Sequence, residues 1–556
     1  MPGTAAAPGA PNAAGLSSRA SSARGGSTAL VAIAAWTLFA FAGAYPWTTV
    51  PLVCGAVVLA ISERPPILRG SHRILDGTLI VWILLAGAAL VPLPASVRLT
   101  ISPQAATVDQ ALYLDATTDP AAGRARPLSM DWGETASALV LAMTIALVFW
   151  CARAVVTRRG LRGTIRGIAW MGLTLSALTL IQHATAPRLL YWYWHPISIH
   201  ATPYGPYVNR NSLATWLIMA IPATIGYGVA RFQSRRSGGG SVDLESSLDA
   251  TALWLAASVC LMQAVLLVAM SRAGLTGGVV GLICLMWLAR GRIAAFRWRW
   301  LAAILLTLLA VATTYANWGA LANRVNETVT IGLGGRREIW RLTWRIVRDF
   351  PLVGVGVGAY ARAMSVYQPV PHVFYINDAH NQYLQLLTEG GVILAVPAAL
   401  SAATAAVLIA RRLRGDRTAV FWIRAGAASG LVAVAVQGMW QVSMTPPANA
   451  VLFAILVAVA LHDGSVRTTA IQRPATSSGR LSAEPHGPSR GGSPDRTSRP
   501  IASAITAGSA GEKRPEFATR FRAKRGCQEP VRHSSDGLLA GRLEGKSPAR
   551  EMESTL

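Results

Sequence analysis

The stretch ETASALVLAMTIALVFWCARAVVTRRGLRGTIR, residues 134–166, decides the fold. No charged residue falls between Glu134 and Arg153, and a helix rising 1.5 Å per residue needs about 20 such positions to cross the roughly 30 Å hydrocarbon core of a bilayer. Five arginines then follow from Arg153 to Arg166, the charge pattern of a cytoplasmic connection between spans. The same alternation recurs outward in both directions. Apolar runs begin near positions 29, 47, 76, 134, 165, 210, 250, 273, 299, 383, 419 and 448, which predicts twelve spans.

Composition agrees: 52% of the 556 residues are hydrophobic and 14% charged, with a mean hydropathy of +0.39. An ordinary soluble domain carries about a quarter charged residues, so a soluble globular enzyme is excluded. The net charge of +25 arrives in short bursts between apolar runs, which speaks for membrane loops and against nucleic acid as partner. Five cysteines, four of them in or beside apolar runs, offer neither a disulfide framework nor a metal spacing.

Lys and Arg concentrate on the cytoplasmic side of a membrane protein. The segments 63–73, 153–166, 231–236, 289–299 and 411–417 are strongly basic and fall on every second connection. They are assigned to the cytoplasm together with both termini, and the first span to a retained anchor. The opposite face receives the loop 95–133, the aromatic segment 184–209, a tight SRAG turn, a long loop 319–382 and a turn near 441–448. Residues 1–28 are expected to be a disordered cytoplasmic N-terminus and 29–462 the membrane domain. From 463 to 556, Ser, Gly, Pro and Arg dominate, the composition of a disordered basic tail.

The long outer loop carries the chemistry. In RREIWRLTWRIVRDF, Arg337, Arg341, Arg345 and Arg348 fall on one helical face, and Ile339, Leu342, Ile346 and Phe350 on the other. An arginine-rich helix on the translocated side runs against the positive-inside bias. Guanidinium forks hold phosphate oxygens bidentately, so an anionic substrate group accounts for the positive charge. In PLVGVGVGAY, Gly354, Gly356 and Gly358 lack the spacing of a dinucleotide loop and are read as a structural turn. NDAHNQYLQLLTEGG places Asp378, His380 and Asn381 at the start of a span. GPYVNRNS brings Asn209, Arg210 and Asn211 to the same face, and MSRAG brings Arg272.

Together, GPYVNRN, the SR turn, GRREIW, FPLVGVGVGAY and AHNQYLQLLTEGG resemble the O-antigen ligase and O-antigen polymerase family of bacterial envelope glycosyltransferases. The motifs cover roughly residues 200–400. The resemblance implies an all-α polytopic integral membrane protein, GT-C-like, of about 12 transmembrane helices with one long periplasmic loop in the bacterial inner membrane. It implies inverting transfer of a glycan from an undecaprenyl-diphosphate carrier to an acceptor hydroxyl without cofactor or metal. The acceptor would be lipid A-core for a ligase, or a second lipid-linked glycan for an O-antigen or exopolysaccharide polymerase. Matched to the motifs, His380, Arg336 and Arg272 become the catalytic candidates. Arg210, Asn209, Asn211, Arg337, Asp378 and Asn381 become the substrate-binding candidates. The rival class is a flippase or transporter of lipid-linked oligosaccharide, but such proteins place ionisable residues near the bilayer midplane, whereas Glu134, Arg153 and Arg424 lie at span ends.

Single cysteines replacing Val325 and Gly415 are expected to react with a membrane-impermeant thiol reagent from opposite sides of the membrane. Labelling of both from one side would overturn the orientation.

Overall fold

A computed structural model describes residues 13–112, 125–196, 201, 203–236, 249–292, 333–368 and 376–463. The span expected from about 299, residues 319–332 and 369–375 of the long loop, and the tail from 464 onward lie outside the described residues. The chain divides at residue 474, and the second unit, Ala475–Leu556, falls wholly in the undescribed tail.

The described residues are helical, with no strand among them. Nine of their helices are long and apolar enough to cross a membrane, and Gly25–Phe39 and Pro447–Ala460 are shorter apolar helices. In chain order the elements are α1 Ala13–Phe39, α2 Thr49–Glu63, α3 Arg73–Ala88, α4 Ala95–Ile101, α5 Ala105–Leu112, α6 Trp132–Arg159, α7 Arg162–Thr185, α8 Arg210–Arg236, α9 Ala250–Val268, α10 Arg272–Ala289, α11 Leu333–Asp349, α12 Tyr360–Tyr367, α13 Gln382–Gly415, α14 Val420–Gln437 and α15 Pro447–Ala460. This is an all-α polytopic membrane protein. Residues 13–28 lie within helix α1. Once the span from Ala29 supplies a nucleus, the Ala- and Ser-containing stretch before it extends the same helix, because propagation costs far less than nucleation.

Helix α14 lies at the centre, against α8, α10 and α15. Without a hydrophobic driving force in lipid, close backbone approach through small residues holds spans together. Gly430 of α14 faces Met219 of α8 so closely that a Cβ would stand 2.7 Å from its carbonyl oxygen, and Gly281 of α10 meets Ser429 in the same way at 3.0 Å. At the periphery, Ser401 of α13 bonds Thr78 of α3 at 2.8 Å, and Ser258 of α9 bonds the Ala169 carbonyl of α7 at 2.9 Å.

Two buried arginines of these helices are paired with carboxylates. Asp76 receives both arms of Arg153 at 2.7 and 2.8 Å, the Trp150 indole at 3.0 Å and the Leu68 amide at 2.9 Å. Arg424 bonds Asp416 at 2.7 Å. Bidentate geometry and extra donors are what allow a buried ion pair to recover its desolvation cost.

On the opposite side the loop 95–133 and the long loop fold together into one cap. Ala105 and Val108 of α5 share a buried cluster with Leu342, Ile346 and Phe350 of α11 and with Tyr360 and Met364 of α12. Arg98 and Arg126 both bond Asp109, at 2.7 and 3.2 Å, which ties the two ends of the first loop. The Met130 amide donates to the Val355 carbonyl at 2.9 Å, joining the two loops.

The cap is sewn into the membrane domain by a break in α13. At Gly391 the backbone turns to φ 56°, leaving helical N–H and C=O groups without partners. The glycine segment supplies them: Val355 and Gly356 donate to the Thr388 and Glu389 carbonyls at 3.0 and 2.9 Å, and Val392 and Ile393 donate to Pro351 and Leu352 at 2.9 and 3.0 Å. Gly354, Gly356 and Gly358 all have positive φ. A structural turn, as read from the sequence, is therefore what they form, with backbone complementation of a broken span as its purpose.

Gly391→Ala would drive a Cβ into the Leu352 carbonyl at a left-handed position. It is expected to lower stability by more than about 1 kcal/mol, seen as a lower unfolding temperature in detergent. Gly291→Ala, where nothing lies within 4 Å of the added carbon, should leave it unchanged.

Candidate active site at the outer ends of the spans

The first turn of α13 fixes the geometry. Asn381 is its N-cap, its side-chain oxygen accepting from the Tyr383 and Leu384 amides at 3.0 Å each. This is the usual way a helix start satisfies its orphan donors. Immediately before it, Asp378 and His380 form a tight unit. The His380 backbone amide donates to Asp378 Oδ1 at 2.8 Å, and the imidazole Nδ1 lies 2.9 Å from the same oxygen. The ring N–H is not in line with that oxygen, since Nδ1 is out of solvent and makes no aligned hydrogen bond. The contact is thus electrostatic, and the amide makes the directional bond. His380 holds a left-handed backbone with φ 48°, a strain on the order of 1 kcal/mol for a non-glycine residue.

Two other elements hold this strained segment. The Trp340 indole of α11 donates to the Ala379 carbonyl at 2.9 Å, and the Ala379 amide donates to Gln385 Oε1 at 2.8 Å. The helix that carries the arginines thereby grips the residue beside His380. Helix α11 has the predicted faces: Leu342, Ile346 and Phe350 are buried, and Arg337, Arg341, Arg345 and Arg348 are exposed. Arg341 is tied to Glu338 one turn back, with Nε to Oε2 at 2.8 Å.

Arg336 lies off that stripe and is half-buried. Burial, and then the neighbouring Arg272 guanidinium, pull its pKa below the ordinary arginine value, while Asp378 pulls it back. Arg336 therefore stands within electrostatic reach of both Arg272 and Asp378. Asp378 feels burial first, which raises its pKa, but His380 and Arg336 outweigh that and hold the carboxyl below its usual range. Four residues from three separated sequence motifs converge: Arg272, Arg336, Asp378 and His380.

The remaining candidates sit around them with structural work in view. Asn211 accepts from Ser271 Oγ at 2.8 Å and donates to Gln441 Oε1 at 3.3 Å, while Asn209 Oδ1 accepts from the Asn211 amide at 2.8 Å. These bonds fasten the start of α8 to the residue before Arg272, which brings Arg210 and Arg272 to neighbouring helix starts. Arg337 and Asn381, with Trp340, Arg341, Trp344, Tyr383, Leu384 and Leu387, line a surface groove of about 550 Å³ between α11 and α13. No group of three or more His, Cys, Asp or Glu gathers among the described residues, so no metal ligand set is found there.

Several supporting residues escaped sequence reasoning. Gln382 Oε1 accepts from the Ser443 and Met444 amides at 3.0 and 3.3 Å, and its own amide donates to the Gly438 carbonyl at 2.8 Å. Asn449, fully buried, accepts from Tyr207 at 2.9 Å and donates to the Ser212 and Ser443 carbonyls at 3.0 and 3.1 Å. Their only signal in the chain is that each amide side chain stands at the outer end of an apolar run.

Because folding lowers the Asp378 pKa, the stabilisation it contributes is complete above about pH 4, the unfolded value, and is lost as pH falls through the lower folded value. The difference in unfolding temperature between the wild type and Asp378→Asn is expected to be constant from pH 7 to 5 and to shrink on acidification below that value. A difference unchanged down to pH 2 would remove the charge from the role.

None of the curated proteins compared with this chain matches it. Residues 256–399 do match a family model, described as O-antigen ligase. That stretch runs from α9 into α13 and contains Arg272, Arg336, Asp378 and His380, so the segment that builds the site is similar to the O-antigen ligase family.

Proposed function

We propose that the protein transfers a glycan from undecaprenyl diphosphate to an acceptor hydroxyl at the periplasmic face of a bacterial inner membrane, with both chain termini in the cytoplasm. The family match supports membrane glycan transfer of the O-antigen ligase or polymerase type on lipid-linked substrates. The observation that carries the finer reading is the approach of two guanidinium groups, Arg272 and Arg336, beside the His380 and Asp378 unit. Two like charges held near one another, Arg336 half-buried and Arg272 exposed, are stabilised by an anion between them, and a diphosphate offers acceptors for both guanidinium forks.

The reaction then needs little else. The acceptor hydroxyl attacks the anomeric carbon, and its proton passes to a neutral His380. The bond from that carbon to the phosphate oxygen breaks with both electrons leaving on the diphosphate. Arg272 and Arg336 hold the negative charge that develops on that oxygen, which is preorganised electrostatic stabilisation. A diphosphate leaves readily without a general acid, and a histidine suits the base at neutral pH. Asp378 keeps the imidazole in place and favours the imidazolium formed. One displacement inverts the anomeric centre, and the two guanidinium groups supply the cationic charge for which a metal would otherwise serve.

Purified protein in lipid is expected to move glycan from undecaprenyl diphosphate in the presence of a chelator. His380→Ala, Arg272→Lys and Arg336→Lys should each fall by about 100-fold or more in kcat, the scale of losing one preorganised group. Lipid A-core and a second lipid-linked repeat unit are offered in parallel. Product on the first identifies a ligase, and on the second a polymerase. Full activity in His380→Ala would remove the base, and full activity in both lysine variants would remove the diphosphate clamp. Absence of product with every acceptor would move the protein to the flippase class.

A further inference from the structure

Beneath the site, on the face of α13 turned toward the cap, a second polar pair has no part in the scheme above. Gln385 is buried, and its amide has one partner on each side. Oε1 accepts from the Ala379 backbone amide at 2.8 Å, and Nε2 donates to Glu389 Oε1, one turn further along the helix, at 2.6 Å. Glu389 is also faced by the backbone N–H groups of Gly358 and Tyr360, in the glycine segment that completes the break in α13. The Glu389 carbonyl receives the Gly356 amide at 2.9 Å.

The chemistry of these groups permits one arrangement. Ala379 offers only an N–H on this side, so the amide oxygen of Gln385 must face it, and the NH₂ end must then find an acceptor. Glu389 is that acceptor, which locks the amide against flipping. Ala379 lies between Asp378 and His380, and its carbonyl is held from the other side by Trp340. Both polar atoms of the Ala379 backbone are therefore pinned, at the residue preceding the one with φ 48°. A backbone held in that region persists only where its surroundings over-determine it.

We propose that Gln385 and Glu389 are positioning residues that hold the Asp378 to His380 segment in its strained, reactive geometry, through the hydrogen-bonded chain from Glu389 to Gln385 to the Ala379 amide. The inference rests on the glycan-transfer reading for its kinetic consequence, and on geometry alone for its structural one. The pair also links His380 to the glycine segment, so the membrane break and the reactive loop are one mechanical unit.

The chain predicts an unusual rescue. Gln385→Glu sets two carboxyl groups against each other, and Glu389→Gln puts an NH₂ donor against either the Gln385 NH₂ or the N–H groups of Gly358 and Tyr360. With both exchanged, a carboxylate at 385 accepts from Ala379 with one oxygen and from the amide at 389 with the other, while the oxygen at 389 still faces Gly358 and Tyr360. Full-length protein in lipid nanodiscs is compared as wild type, both single variants and the double variant. Two readouts are taken: glycan transfer, and the rate of diethylpyrocarbonate modification of His380 followed by peptide mass spectrometry. The second does not depend on transfer.

Each single variant is expected to lose about 100-fold in kcat, the scale of a 1 Å misplacement, with KM for the donor within about twofold because the arginine clamp is untouched. The His380 modification rate should change in the singles and return to the wild-type value in the double variant, as should kcat. Singles that match wild type in both readouts, or a double variant no better than the worse single, would overturn the proposal. If one single fails to fold, the near-isosteric Glu389→Gln and the double variant still decide it. If wild type transfers nothing, the transfer reading fails, yet the His380 modification rates still test the positioning role.

Discussion

A membrane span that stops being a helix must find new partners for its backbone, since each unsatisfied N–H or C=O in an apolar medium costs several kcal/mol. Helix α13 breaks at Gly391, and four hydrogen bonds from the segment Pro351–Gly356 make good the loss. The rest of the outer architecture depends on this exchange. It anchors the cap of α4, α5, α11 and α12 to the membrane domain, sets the height at which the first turn of α13 emerges, and so places Asn381 and His380 at the surface. Only glycines allow it, because Gly354 and Gly391 approach the opposing carbonyl groups too closely for a Cβ and both take positive φ.

Arginine is used in two ways in this structure. At one set of helix ends two buried guanidinium groups have their own carboxylates, Arg153 with Asp76 and Arg424 with Asp416. These groups serve the fold, and their charge is spent within the protein. On the outer face Arg272 and Arg336 approach one another, with Asp378 as the acidic neighbour that Arg336 feels and His380 already against it. A cluster of that kind, with Arg336 half-buried, is a candidate site for an anionic group.

Trp340 and Gln385 connect these two themes. One reaches from the arginine helix and the other from the broken span, and both end on the backbone of Ala379. The arginine helix and the His380 segment are thereby joined at the backbone of one residue, although Arg336 and His380 are distant in sequence. The polar amides at the outer helix ends, Asn211, Gln382, Gln441 and Asn449, perform the same service for Arg210 and Arg272. Hydrogen-bonded polar networks around a charged centre are how rigid preorganisation is achieved.

Much of this was legible from the residues alone. Apolar length and the alternation of basic loops are properties of single segments measured against the bilayer, so the spans from residues 134, 165, 210, 250, 273, 383 and 419 could be read directly, as could the faces of α11. The resemblance of the motifs to the family also nominated Arg272, Arg336 and His380. What remained out of reach depends on partners far apart in the chain. Asp76 answers Arg153, the loop 95–133 shares a core with α11 and α12, the glycine segment repairs α13, and Gln385 grips Ala379 only once tertiary packing brings each pair into hydrogen-bond range. The sequence by itself determined the membrane class and the residue types of the site, since hydrophobicity and charge act locally against the bilayer. Only the tertiary structure decided which of those residues meet and in what geometry, because hydrogen bonds and close electrostatic contacts exist at distances of a few ångströms that no pattern along the chain records.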